Sequence, residues 1–292
     1  MTMFSYAPIA LGCMSLPVED EQKSIRILHH AFDLGIRFLD TADIYDKGMN
    51  ETVIGKAIHS KRHEIFLATK VGNQIQNNGS GWVWNPRKEY IIKAVDESLR
   101  RLRTTYIDLY QLHGGTVDDP IDESIEAFEL LKTSGKIRTY GISSIRQNVI
   151  REYVKRSRIS SVMLQYSLVD RRPEEQVLPL LEENGINVLA RGTLAKGLLV
   201  GKPAIEHLGH SAGDVASAAA AVAICSSHHR SPVQTAIRYV LHGHPFVTVV
   251  VGVSNIIQLD EVAGIINTPL LSDEEYEILR TSIPAKIYSD HR

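Results

Sequence analysis

Short apolar runs rich in β-branched residues recur along this chain, and between them apolar positions fall three and four residues apart. The runs occupy residues 9–13, 36–42, 64–70, 107–113, 137–143, 161–167, 186–191 and 247–252 and read as strands. Between them, Ile25, Leu28, Ala31 and Phe32, and then Ile91, Ala94, Val95, Leu99 and Leu102, follow the spacing of a helix with one apolar face. Acidic openings such as "DESIEAFELL" and stops at Gly35, Gly135 and Gly185 punctuate the helices. Strand followed by helix, repeated eight times without a Pro/Ser-rich linker, predicts an α/β fold: one (β/α)8 barrel domain over residues 1–292. Two connections are long, residues 71–86 and 192–214. Both follow strands, so both belong on the carboxyl-end face, where barrels bind ligands. Trp82 and Trp84 make the first of them a candidate binding wall, together with Ile44 and Met14.

Polar residues stand at the ends of three early runs. Asp40 and Tyr45 lie in "FLDTADIY", Lys70 closes "IFLATK", and His113 closes "IDLYQLH". A parallel barrel gathers the carboxyl ends of its strands at one face, so these four converge there. An ammonium beside a phenol favours phenolate and lowers a pKa of about 10, while an aspartate keeps the lysine charged. Tyr45 is therefore expected to exchange a proton near neutral pH. Asp40, Lys70 or His113 alone would be an ordinary barrel-end polar residue; the four together point to proton-transfer chemistry.

Composition narrows the class without defining it. The chain of 292 residues is 43% hydrophobic with a formal charge of -2, which gives no polycationic footprint for nucleic acid. The longest apolar stretch, "SAGDVASAAAAVAIC", is shorter than a membrane span and reads as an alanine-rich helix, so no membrane partner is expected. The first residues, "MTMFSYAPIALGC", lack the pattern of a secretory signal. Cys13 and Cys225 do not make a disulfide framework, and a cytoplasmic location is expected. Cys13 reads as a buried strand-end residue rather than a nucleophile. His207, His210, His228, His229, His242 and His244 lack accompanying cysteine or carboxylate spacing, so they read mostly as solvated side chains and no metal site is expected.

The chain resembles the aldo-keto reductases, and within them a short bacterial subgroup. "FLDTADIY", "ATKVG" and "LYQLHGG" match the family's catalytic tetrad in order and strand placement, as Asp40, Tyr45, Lys70 and His113. "GISS" at 141–144, "LAKGLLVGK" at 194–202, "SPVQTAIRYVL" at 231–241 and "VVVGVSNIIQLDEV" at 249–262 match later family segments in sequence order.

The resemblance implies hydride transfer between a nicotinamide cofactor and a small carbonyl or alcohol, with Tyr45 as proton donor. His113 would donate a hydrogen bond to the carbonyl oxygen, and Asp40 would orient and neutralise Lys70. No GxGxxG follows a strand, so the cofactor would lie extended across the barrel mouth. By position, Ser143, Ser144 and Gln165 would hold the carboxamide. Ser144 stands where the family usually has asparagine, and Arg191 where a tyrosine commonly stacks under the nicotinamide; a guanidinium can stack there or reach the pyrophosphate. Gly192, Thr193, Leu194 and Lys196 would cradle the pyrophosphate. Around the 2'-phosphate, Gly252, Ser254 and Gln258 replace the usual cations, leaving Ser254, Asn255 and helix amides. The expected cofactor is NADP(H), with NAD(H) also used. Two other classes share such barrels: a cofactor-binding regulatory or redox-sensing subunit with little turnover, and a phosphate-handling isomerase or aldolase, which would leave Tyr45 unexplained. A monomer or weak oligomer is expected.

Overall fold

The computed structural model describes residues 8–76 and 81–292. Residues 1–7, on which the reading of the N-terminus partly rests, and residues 77–80, inside the first long connection, lie outside the described residues. In chain order the strands are β1 (Ile9–Gly12), β2 (Phe38–Asp40), β3 (Phe66–Val71), β4 (Asn73–Ile75), β5 (Trp82–Trp84), β6 (Ile107–Leu112), β7 (Ile137–Ser143), β8 (Ser161–Gln165), β9 (Asn187–Arg191) and β10 (Val247–Gly252). The helices are α1 (Glu21–Asp33), α2 (Met49–Ile58), α3 (Lys88–Arg101), α4 (Ile121–Thr133), α5 (Gln147–Arg156), α6 (Val177–Glu183), α7 (Ala212–Ile224), α8 (Pro232–Leu241), α9 (Ile256–Ala263) and α10 (Asp273–Thr281).

Eight strands close in the order β1-β10-β9-β8-β7-β6-β3-β2, every pair parallel, as the alternating pattern predicts. The structure adds a small antiparallel hairpin, β4–β5, inside the connection at 71–86. Several barrel strands are shorter than their apolar runs: β2 keeps three residues and β8 ends at Gln165. Thr41 still donates its backbone N–H to Ala68, and Tyr166 to Arg191, so pairing persists beyond the formal ends. Among the described residues no helix is long and apolar enough to cross a membrane.

Two cores form because strand side chains alternate between faces. The outward set packs under the helices: Leu11, Leu39, Leu67, Tyr110 and Leu112 meet Leu28, Phe32, Ile91, Val95 and Phe128. The inward set is Ala10, Phe38, Ala68, Leu109, Met163, Leu189 and Val250, with the Phe38 and Phe66 rings in edge contact at 4.6 Å. Gly141 has no room for a side chain, since a Cβ there would stand 2.4 Å from the Ser161 carbonyl oxygen. Stepping two residues along from the inward core reaches Gly12, Asp40, Lys70, Gln111, Gln165, Arg191 and Gly252. One parity therefore supplies both the apolar plug and the polar ring above it.

Candidate active site

Above that ring opens a cavity of about 710 Å³, lined in part by Asp40, Tyr45, His113, Ser143, Gln165 and Arg191. Lys70 lies just behind it with no exposed surface. Its Nζ donates to Asp40 Oδ2 and to the Thr41 carbonyl, both at 2.7 Å, and lies 3.5 Å from Tyr45 Oη. Gln111, fully buried, donates to the other Asp40 oxygen at 3.4 Å. The Tyr45 and His113 rings meet edge-on, 6.0 Å between centroids. A phenol and an imidazole thus face the same space, with the ammonium behind the phenol.

The turn carrying Tyr45 is unusual and well anchored. Asp46 and Lys47 have φ of 49° and 54°, a conformation uncommon for side-chain-bearing residues, and Gly48 continues it at 86°. Arg101 packs over Gly48, where an added Cβ would meet its Cδ at 2.9 Å. Its Nε donates to the buried Glu51 at 2.7 Å, and Glu51 also accepts Thr69 Oγ1 at 2.6 Å. Asn50 accepts from Thr41 and donates to the Cys13 carbonyl. The first turn of α2 thereby ties the ends of β1, β2 and β3 to the loop that presents Tyr45.

Electrostatics correct one expectation. Burial raises the Tyr45 pKa above its ordinary value, and Lys70 only partly offsets that rise, so the phenol keeps its proton instead of being poised near neutrality. Burial likewise raises Asp40 against the pull of Lys70. For Lys70, burial pulls downward but Asp40 and then Tyr45 outweigh it, so the amine stays charged. Burial first, then Lys70 and Arg191, bring His113 down to about 3. It is a neutral imidazole, and its Nδ1 is buried without a hydrogen-bond partner among the described residues.

Ser143, Ser144, Gln165, Arg191, Gly192, Lys196 and Gly252 line the same cavity, while Thr193, Leu194, Ser254, Asn255 and Gln258 do not. Thr193 is buried, and its hydroxyl faces the Tyr166 carbonyl at 3.5 Å. Ser254 donates its backbone N–H and hydroxyl to Gln258 Oε1 at 2.9 and 3.1 Å, and Asn255 caps α9 by accepting the Gln258 N–H. These three residues are thus bonded mainly to one another. Among the described residues Arg191 makes no ion pair, and it donates to Gln165 Oε1 at 3.2 Å. The loop after β9 winds through positive φ at Ala195, Lys196 and Gly197.

The aromatic wall is not where the sequence suggested. Neither Trp82 nor Trp84 nor Ile44 lines the cavity; Met14 does. Trp82 is 53% exposed. Trp84 donates its indole N–H to Asp119 at 3.0 Å and lays its ring against Gly114 and Gly115, which have φ of 139° and 127°. It buttresses the segment after His113 from outside the cavity. The histidines also differ from expectation, since His210 is buried and His207 lines the cavity. Cys13 is buried as expected, its thiol pushed up by burial. Gln111 went unnoticed in the sequence, although it lies two residues before His113 on the same strand face. Arg146, which also lines the cavity, was not apparent as a site residue in the sequence either.

A nicotinamide dinucleotide suits this cavity. Its volume lies in the usual range for ligand sites of about 300–1,000 Å³. Arg191 and Lys196 line it without a carboxylate in ion-pair reach among the described residues, and Ser143 and Gln165 line it together with Asp40, Tyr45 and His113. A closed barrel with a buried Asp–Lys–Tyr cluster and a neutral histidine at its mouth defines an oxidoreductase of carbonyl compounds, and the family comparison agrees. The Aldo/keto reductase family profile matches residues 8–283, and the chain belongs to that family, whose members use nicotinamide cofactors. It is 49% identical over 293 residues to the uncharacterized oxidoreductase YqkF of Bacillus subtilis (strain 168), covering 97% of this chain and 95% of that one. It superposes on the holo form of aldo-keto reductase AKR11C1 from Bacillus halodurans with a TM-score of 0.91 at 47% identity, covering 98% and 95% of the two chains. An aldo/keto reductase from Klebsiella pneumoniae, solved in complex with NADP and acetate, is 26% identical with a TM-score of 0.80, covering 96% and 93%.

Proposed function

We propose that this protein, acting as a single-domain barrel over residues 1–292, reduces aldehydes or ketones to alcohols with NADPH, and with NADH less effectively, using Tyr45 as the general acid. When bound, the reduced nicotinamide supplies hydride to the carbonyl carbon. Tyr45 Oη gives its proton to the carbonyl oxygen, so the products are an alcohol and the oxidised cofactor, and Tyr45 is reprotonated from solvent. Lys70 stabilises the phenolate left behind, and Asp40 keeps Lys70 charged and aimed. Gln111 holds Asp40 from its other oxygen. His113, being neutral, donates a hydrogen bond to the same carbonyl oxygen as charge develops there.

Ser143, Ser144 and Gln165 hold the carboxamide end, with Arg191 fixing Gln165 through its amide oxygen. Gly192, Thr193, Leu194 and Lys196 receive the pyrophosphate. Gly252 gives the cofactor room beside Ser15, and Ser254, Asn255, Gln258 and the first turn of α9 meet the 2'-phosphate. The observation that carries this reading is Lys70, wholly buried just behind the cavity and shared between Asp40 at 2.7 Å and Tyr45 at 3.5 Å. The test is a panel of aldehydes and ketones followed at the nicotinamide absorbance band with each cofactor. Turnover with NADPH above NADH is expected; no oxidation of either cofactor by any carbonyl would overturn the reading.

A further inference from the structure

The cavity carries more positive charge than a carbonyl and a nicotinamide ring require. Of its charged lining residues, Asp40 is matched by Lys70, while Arg146, Arg191 and Lys196 have no carboxylate within ion-pair distance among the described residues. Arg191 and Lys196 belong to β9 and the loop after it, the side read above as the cofactor's. Arg146 lies between β7 and α5, in the connection that begins with Ser144. Its backbone N–H is held by Ser144 Oγ at 3.1 Å, and its guanidinium donates to the Gly115 carbonyl. That carbonyl is itself fixed, because the two glycines at 114 and 115 rest against the Trp84 ring, which Asp119 anchors. A guanidinium has five N–H donors, and one bond to a carbonyl leaves a fork able to take a carboxylate. Gly115 stands two residues after His113, so their Cα atoms are at most about 7 Å apart.

We propose that Arg146 is a specificity-determining residue that receives an anionic group on the substrate, making the preferred substrates short oxo acids. The assignment rests on the carbonyl-reductase reading for the reaction, but not for the anion site itself. Tyr45, His113, Gly114, Gly115 and Arg146 line one cavity, so a short chain whose carbonyl oxygen meets Tyr45 and His113 shares that space with the guanidinium.

Two measurements test it. In the first, 4-oxobutanoate is compared with its methyl ester, which has the same reacting carbonyl but no charge. The parent should prefer the anion in kcat/KM, and Arg146→Met should lower the anion-to-ester ratio about ten- to a hundred-fold, the range of a charge-assisted hydrogen bond. Arg146→Lys should restore part of it. In the second, succinate is titrated calorimetrically into parent and Arg146→Met without cofactor. Weaker binding to the variant supports the anion site even if no carbonyl is turned over, in which case only the proposed reaction fails. Absence of succinate binding to the parent, equal binding to both proteins, or an ester reduced as well as the anion would overturn the proposal. A loss of NADPH affinity in the variant that parallels the loss for 4-oxobutanoate would place Arg146 on the cofactor and overturn it as well.

Discussion

Replacing Lys70 by methionine removes one buried charge and leaves two partners behind it. Lys70 Nζ stands 3.5 Å from Tyr45 Oη. At an effective dielectric of about 20, a unit positive charge at that distance stabilises a phenolate by about 5 kcal/mol. If the proton is about half transferred at the transition state, roughly half of this is expressed in the barrier, a loss of about fifty-fold in turnover. A second effect acts on the fold. Asp40 is left buried without its cation, and breaking such a pair costs about 3–5 kcal/mol, lessened where Asp40 takes up a proton. The sign follows from linkage: with Asp40 raised in the folded state, stability is greatest below its unfolded pKa and is lost as the pH rises through the folded value. Lys70→Met should therefore be more stable to urea at mildly acid pH than at neutral pH. The assays are single-turnover reduction under conditions where both proteins are folded, and urea unfolding across pH. Turnover within about threefold of the parent, with an unchanged pH profile of the reverse oxidation, would refute the Tyr–Lys coupling.

Other consequences are separately measurable. Because Tyr45 keeps its proton, carbonyl reduction should vary little between about pH 6 and 9 while alcohol oxidation rises with pH, as steady-state profiles in both directions would show. His113 titrates at about 3 in the fold against an ordinary 6.5, so the stability it contributes above pH 6.5 is lost as the pH falls toward 3. The urea midpoint of the parent should accordingly drop more steeply in acid than that of His113→Asn. NADPH should be only modestly preferred over NADH, and Ser254→Arg should tighten NADPH selectively; equal effects on both, by fluorescence titration, would mean that position 254 does not face the 2'-phosphate.

Much of the frame was legible because it depends on periodicity. Eight apolar runs with helical spacing between them suffice for a parallel barrel, and the polar strand-end residues Asp40, Lys70 and His113 then meet by geometry alone. Strand parity would also have exposed Gln111, which shares the inward face with Leu109. What failed depends on solvation and on direction. The sign of the Tyr45 shift turns on how completely the phenol is buried against one ammonium, and no spacing reveals that balance. Trp84 sits in a hairpin with both tryptophans on one face, and the sequence does not reveal whether that face turns toward the cavity or toward Asp119. Arg146 immediately precedes α5, where an arginine is ordinarily a solvated residue, and only the fold brings it beside Gly115.

The central claim is that Tyr45 delivers the proton when a carbonyl is reduced, and removing its hydroxyl alone tests that most directly. Tyr45→Phe keeps the ring and its edge contact with His113. NADPH binding by fluorescence titration should stay close to that of the parent, while single-turnover oxidation of bound NADPH by an aldehyde should fall by about 10²–10⁴-fold, the range for loss of a general acid. Near-parental single-turnover rates in this variant would contradict the account.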